Sequence, residues 1–323
     1  MNGRLSAHRA VIIGVLQLVC VGFVALVIWR RRNEIFAAFD LNATALLSLT
    51  VLMLLSHVQR AWELTYLLRR LGVPEPFGDG FWLSGASFLL NHLPLNAGLV
   101  VRAIVLRNEH ALPYAAFLSL TMVNVLVNVA VSASCSVVLL ALLVPHLDAS
   151  VWTTMSILIA LAVVSMLALY LPRSALTPLT SSGFIARQLR AMSSATATMR
   201  GNGVAIGASA ALALSKVVVL AVRLSICFDA VGSPVSPQLS CLLAAITLVM
   251  SVVNITPGNL GLRETMVGVV SAQLGTSLVI AMAAASIDRV VSLGYGVIAG
   301  LPGLYSLQRR GSLISRGEPK RAR

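Results

Sequence analysis

Charge is scarce in this chain. Asp, Glu, Lys and Arg together make up 11% of its 323 residues and aromatic residues 6%. A soluble domain has roughly a quarter of its residues charged, so a surface solvated by water on all sides is excluded. Acids are the rarer sign, 11 against 24 Lys and Arg. Cysteines number four, Cys20, Cys135, Cys227 and Cys241, each inside an apolar run with no Cys-x-x-Cys or Cys/His spacing. That excludes a disulfide framework or a zinc site and leaves small packing residues. There is no His-Glu-x-x-His, no Asp-rich metal motif and no carboxylate pair at helical spacing within one span, so no catalytic residue, metal or cofactor is assigned. Gly85-Ala86-Ser87 near His92 is too thin a likeness to an intramembrane serine protease to change that.

What fills the chain is hydrocarbon. Apolar residues make up 58% and the mean hydropathy is +0.89, the composition of an integral membrane protein. Full spans are expected at 11–29, 41–67, 113–144, 151–171, 204–228 and 278–307, each near or above the ~20 residues that cross a bilayer. The first has no cleavage site before Arg30-Arg31-Arg32, so it reads as a retained span. Two further segments are too short to cross as single helices: 81–93 with 99–107, and 239–253 with 262–274. Runs of about 10 to 14 apolar residues suit re-entrant helices. The expected fold is an all-α polytopic membrane protein, an inverted-repeat bundle of six spans and two re-entrant hairpins, with eight spans as the alternative. It forms one membrane domain, 1–323, with repeat halves at 11–144 and 151–307 and a basic tail at 308–323.

The repeat is legible in a motif. Asn91-His92-Leu93-Pro94-Leu95-Asn96-Ala97-Gly98 and Asn254-Ile255-Thr256-Pro257-Gly258-Asn259-Leu260-Gly261 both spell Asn-x-x-Pro-x-Asn-x-Gly. Each falls between the legs of a short pair, where proline removes a backbone donor and glycine allows a turn. Backbone groups freed there must be met by protein or a wet cavity, and Asn91, Asn96, Asn254 and Asn259 can meet them. Serving only as caps of a buried turn is the plainer use of the same residues.

Basic residues outside the apolar segments divide unevenly. Fifteen fall on sides assigned to the cytoplasm: Arg4, Arg9, Arg69, Arg70, Arg107, Arg173, Arg187, Arg190, Arg200 and six between 309 and 323. Only Arg30, Arg31 and Arg32 fall outside, which places both termini in the cytoplasm of a cell-membrane protein. Three crossings then separate the hairpins, so they enter from opposite faces. The polar stretch 173–203 reads as an interfacial amphipathic helix or as an inner loop. No basic domain stands outside the membrane, so nucleic acid is not an expected partner.

Six cations remain inside apolar segments: Arg60, Arg102, Lys216, Arg223, Arg263 and Arg289. Only Glu63, Glu264 and Asp288 are there to balance them. A charge at mid-membrane costs ~2.5–3.5 kcal/mol on insertion scales, so each needs a partner or a cavity. Arg60 and Glu63 lie three apart on one helix face. Arg263-Glu264 and Asp288-Arg289 are adjacent, point apart and seek partners elsewhere. Arg60 and Arg223 suit snorkelling or structural pairing. With Gly98, Pro94, Pro257, Gly258 and Gly261 shaping the tips, Arg102, Arg263 and Arg289 suit an anionic group, with Glu264 and Asp288 balancing charge. Gly296-x-x-x-Gly300 suits close helix packing.

These residues carry a resemblance. Pro94, Gly98 and Arg102, then Pro257, Gly258, Gly261 and Glu264, with Ala285-Ser286-Ile287-Asp288-Arg289 and the early Trp62–Leu68 segment, resemble the lysylphosphatidylglycerol synthase transmembrane region family, also described as flippase-like membrane proteins. The resemblance implies a lipid translocase or transporter moving an anionic phospholipid or polyprenyl-type lipid. The alternatives are an accessory subunit beside a lipid-modifying enzyme, or a membrane-embedded lipid transferase. Two departures stand out: Leu99 replaces an acid after the first Gly, and Val123-Asn124-Val125 replaces a Glu-Arg pair, with Asn124 or Asn128 as a weaker substitute. The chain continues sixteen residues past Leu307, so the family's soluble aminoacyltransferase activity is not expected. Cysteines placed at 97 and 260 test the topology. Labelling only through a water-filled path is expected, and labelling of both from opposite bulk phases as ordinary loops would overturn the hairpins.

Overall fold

A computed structural model describes residues 42–92, 97–143, 149–170, 203–251 and 261–312. The expected span at 11–29, most of the polar stretch 173–203 and the tail from 313 lie outside them. The described residues form nine helices: α1 Ala43–Arg70, α2 Phe77–Leu90, α3 Ala97–His110, α4 Tyr114–Leu143, α5 Ala149–Tyr170, α6 Gly203–Ala230, α7 Pro237–Met250, α8 Leu262–Gln273 and α9 Leu278–Arg310. No strand occurs among them.

Five helices, α1, α4, α5, α6 and α9, are long and apolar enough to cross a membrane, and they coincide with five of the six expected spans. Their outer faces would be untenable in water. Leu142 and Val279 are each 72% exposed, and Trp152, Ile157, Val164 and Leu167 line one exposed flank of α5. Such a surface belongs in lipid. The chain is an all-α polytopic membrane protein. Helices α2, α3 and α7 have 14 residues and α8 has 12, about 18–21 Å at 1.5 Å per residue, which falls short of a ~30 Å hydrocarbon core. They pack as two consecutive pairs, α2 on α3 and α7 on α8.

Two quartets of helices share one plan. Helices α1 to α4 have 28, 14, 14 and 30 residues, and α6 to α9 have 28, 14, 12 and 33. Ala43 and Gly203 open the first helix of each set, and Phe77 and Pro237 the second, both 160 residues apart. The turns match too. Gly72 and Gly232 take φ +78° and +72° after their helices, and Val73 and Ser233 donate back to the carbonyls of Leu68 and Phe228 at 3.0 Å. This helix end needs a left-handed residue, which glycine adopts without a Cβ penalty. The motif copies lie 163 residues apart, so three extra residues separate α7 from the second copy. In the helix frame Arg223 therefore corresponds to Glu63 rather than to Arg60.

Helices α1 and α6 run antiparallel across the centre. Ser56 meets Arg223 and Glu63 meets Lys216, so partners fall along α6 as they rise along α1. On either side lies a separate apolar core. One is built from Leu64, Leu68, Leu90, Leu106, Phe117 and their neighbours, the other from Leu224, Phe228, Leu242, Leu243, Ala284 and theirs. Each long fourth helix reaches into the opposite core, α4 through Leu140 and α9 through Leu304 and Leu307.

Small residues let α9 lie against α2. A Cβ on Gly303 would stand 2.5 Å from the Trp82 carbonyl oxygen, one on Gly85 2.7 Å from that of Ala299, and one on Gly300 would overlap Leu89. The Gly296-x-x-x-Gly300 pattern therefore serves packing within the chain.

At one end of the bundle a polar clasp joins the α1–α2 turn, the end of α3 and the end of α9. Buried Glu75 hydrogen-bonds His110, Arg310 pairs with Asp79 at 2.6 Å, and Asn108 donates to the Ser312 carbonyl at 2.8 Å. The Glu75 carboxylate, with Glu109 and Asp79 nearby, raises the His110 pKa. Burial raises that of Glu109, which also faces Glu75, His110 and Arg310. Both shifts mean that the folded state binds more protons than the unfolded one, so stability falls as pH rises. The His110 contribution is complete below its unfolded pKa of ~6.5 and is lost as pH climbs through the raised value. In detergent the Tm is expected to fall between pH 6 and pH 9, and Glu75→Gln to flatten that slope. An unchanged slope in Glu75→Gln would refute the clasp.

Candidate functional site

For Glu63, Glu264 and Asp288 and the six cations assigned to apolar segments, the fold settles who meets whom. Asp288, fully buried on α9, sits between Arg223 of α6 and Arg263 of α8, each Nη2 2.5 Å from one of its oxygens. Arg223 also donates to Ser292 Oγ at 2.9 Å, and that hydroxyl is held by the Asp288 carbonyl at 2.8 Å. Arg289 Nη1 stands 3.5 Å from Glu264 Oε1, while the other Glu264 oxygen accepts the Gly261 N–H at 2.9 Å. Glu264 thus caps the first turn of α8 and faces an arginine with one carboxylate, as an acid at a helix N-terminus should. The adjacent pairs of the sequence exchange partners: Arg263 takes Asp288, and Glu264 takes Arg289.

Glu63 does not pair with Arg60, three residues before it. Lys216 of α6 reaches both Glu63 oxygens at 2.6 and 2.7 Å and Asn128 Oδ1 at 3.2 Å. Asn128 in turn donates to the Asn124 carbonyl and Oδ1 at 2.7 and 2.8 Å. Beside this network, Gln59 donates to Ser215 Oγ at 3.0 Å. Counting from the helix starts, Asn124 is the eleventh residue of α4 and Asp288 the eleventh of α9, while Asn128 and Ser292 are both fifteenth. An amide therefore stands in the first quartet where the second has its central carboxylate.

Two arginines remain without a carboxylate among the described residues. Arg60 lies over the Phe88 ring, 4.3 Å from its centroid, a cation–π contact between α1 and α2. It feels the charges of Arg102, Arg223 and Arg263 and of Glu63. Arg102 on α3 feels Glu63 only at a distance and buries an Nε with no hydrogen-bond partner among the described residues. Both side chains are partly exposed. The six cations thus surround one interior region with three more positive than negative charges.

Of the tip residues, Asn91 caps the end of α2, with its N–H on the Ser87 carbonyl at 2.9 Å. Gly98 backs onto that end so closely that a Cβ would overlap the Ser87 carbonyl oxygen and Asn91 Oδ1, which is the physical need for glycine there. Gly261 precedes α8 with φ +83°. Pro94, Asn96, Asn254, Pro257, Gly258 and Asn259 lie outside the described residues. Neither hydroxyl nor imidazole of the thin protease likeness is poised for catalysis: Ser87 donates to the Leu83 carbonyl at 2.7 Å and His92 Nδ1 binds the Phe88 carbonyl at 3.0 Å. The cluster with metal-ligand chemistry among the described residues is Glu75, Glu109 and His110 of the end clasp, outside this region.

A family model described as the lysylphosphatidylglycerol synthase TM region matches residues 8–300. The chain belongs to that family. Within it the protein stands among membrane proteins of lipid metabolism or transport. No curated protein and no solved structure matches the chain.

Sequence spacing alone did not reveal Lys216–Glu63–Asn128 or Ser292. The signal was present in Asn124 and Asn128, two amides one helical turn apart in an otherwise apolar span. Removing one partner of a buried pair strands the other, at a cost of ~3–5 kcal/mol. Asp288→Asn is therefore expected to lower stability in detergent by about that amount, because it leaves two arginines uncompensated. Asp79→Asn, at a pair one-third exposed on both sides, should cost ~1 kcal/mol or less. Equal losses in the two variants would show that Asp288 does not hold the site together.

Proposed function

We propose that the protein moves an anionic amphiphile, a phospholipid or a polyprenyl-type lipid, between the leaflets of the cell membrane. The observation that carries this reading is the excess of positive charge in the interior, with Arg60 and Arg102 lacking carboxylates among the described residues. Guanidinium groups retained at membrane depth, at the insertion cost they incur, are best accounted for by an anion that visits them. Family membership supplies the lipid.

In this reading Arg102, Arg263 and Arg289 contact the headgroup. Asp288 and Glu264 hold the second-quartet arginines when the headgroup is absent and share them when it arrives. The antiparallel contact of α1 with α6 supports an inverted relation between the halves, with the α2–α3 and α7–α8 hairpins entering from opposite faces. Rocking one half against the other then exposes the site alternately. Both termini lie in the cytoplasm, as the distribution of arginine favours. In this reading the role is transport rather than catalysis, the three interior carboxylates being engaged with cations.

Reconstitution into vesicles with labelled anionic and zwitterionic lipids tests it. The parent protein should exchange the anionic lipid well above protein-free vesicles. Arg263→Ala should lose about tenfold, since a hydrogen bond to a charged group is worth ~1.5–3 kcal/mol. Glu264→Gln should lose less. Absence of exchange for every lipid would reject the translocase.

A further inference from the structure

We infer that the headgroup recognised is a phosphate bearing two negative charges, a terminal phosphomonoester or diphosphate, rather than the singly charged phosphodiester of ordinary phospholipids. The inference rests on the anionic-lipid reading above and narrows its substrate class.

Charge bookkeeping in the interior makes the distinction. Lys216, Arg223, Arg263 and Arg289 each have a carboxylate within 4 Å, with Asp288 serving two of them. Arg60 and Arg102 have none among the described residues. The hairpin segments outside the described residues, 93–96 and 252–260, contain no charged residue at all, so no carboxylate can be supplied from the tips. The same holds for the expected first span at 11–29. Among the described residues, the tips and the expected first span, two guanidinium groups are therefore left for the ligand, on top of the shared Asp288.

The repeat shows a matching difference between the quartets. Asp288 and Asn124 occupy the same helix position in α9 and α4, so the acid that neutralises Arg263 in one quartet is an amide in the other. Arg102, on the hairpin leg of the quartet with the amide, buries an Nε with no acceptor among the described residues, as Arg223 and Arg263 do, and unlike those two it has no carboxylate partner there. Arg60 is held over Phe88 and lies within electrostatic range of Arg102, and both feel Glu63. A phosphodiester would satisfy one of these charges and leave the other. A phosphate with two charges satisfies both, and its three terminal oxygens suit two forked donors.

Binding and transport are tested separately. For binding, the full-length protein in neutral detergent is titrated with short-chain phosphatidate and with short-chain phosphatidylglycerol of the same acyl length, and the Tm shift is read. At pH 8 the phosphomonoester is doubly charged, and it should bind about tenfold more tightly than the phosphodiester. The preference should shrink toward one at pH 5, where a group with its second pKa near 6 carries about one charge. Arg102→Gln and Arg60→Gln should each abolish most of the preference, and Asn124→Asp, which restores the missing acid, should reduce it in a protein with all its arginines. Equal affinity for the two lipids at pH 8, or a preference untouched by pH and by all three variants, overturns the dianion. Inorganic phosphate giving the same shift at the same concentration overturns the lipid source and upholds only the dianion. For transport, the same two headgroups on tail-labelled lipids are followed in vesicles. Faster exchange of the phosphomonoester supports the inference. Equal exchange rejects it while the anionic translocase stands. Exchange of neither, with the binding preference intact, rejects the translocase and leaves the dianion site.

Discussion

The buried carboxylate of Asp288 is the constraint on which the interior depends. A fully buried acid in an apolar bundle is tolerable only if cations accompany it, and here two arginines from two other helices converge on it. That single residue ties α6, α8 and α9 into one electrostatic unit. The same geometry places the arginines. Without the acid, Arg223 and Arg263 would repel each other across α9 and leave the interior open at the point where α6 crosses α1.

From that unit the two-core plan follows. Apolar side chains pack on either side of the α1–α6 crossing into separate clusters, because the polar seam between them cannot be covered by hydrocarbon. Ser56 with Arg223 and Glu63 with Lys216 are the same pair of helix positions, fourteenth and twenty-first, used in both directions. Such reciprocal contact is what two related elements make about a two-fold axis. The seam is also where relative movement would cost least. It holds a few charged and hydroxyl contacts that a substrate or water can replace, whereas each apolar core is close-packed and resists deformation.

Much of the fold was legible before the structure. The five spans that are described fall within a few residues of the apolar runs, since length and hydropathy are set by the bilayer and not by tertiary detail. Short legs were legible for the same reason. The register of the repeat was not. The motif suggested an offset of 163, while the first two helices of each quartet keep 160 and the fourth helices start 164 apart, because the extra residues lie in the connections after the second helix. Partner exchange among charges was half legible. Helical geometry ruled out Arg263 with Glu264 and Asp288 with Arg289, but only the crossing of α8 and α9 decides that each takes the other's neighbour. Glu63 was assigned to its own helix face because spacing of three permits Arg60. Lys216 wins because it arrives from α6 with its ammonium on both carboxylate oxygens and on Asn128, while Arg60 is drawn away to the Phe88 ring.

The difference between the quartets matters more than their likeness. If the first quartet carried an acid at Asn124 as the second does at Asp288, the interior would come nearer to neutrality, and an anion entering it would have to displace a carboxylate at every turn. With an amide there, Asn124 holds Asn128, which orients Lys216, and Arg102 has no carboxylate among the described residues. One half holds its charges together and the other presents them. In the proposed reading the headgroup meets Arg102 of one half and Arg263 and Arg289 of the other, and Asp288 and Glu264 hold the latter two when it leaves.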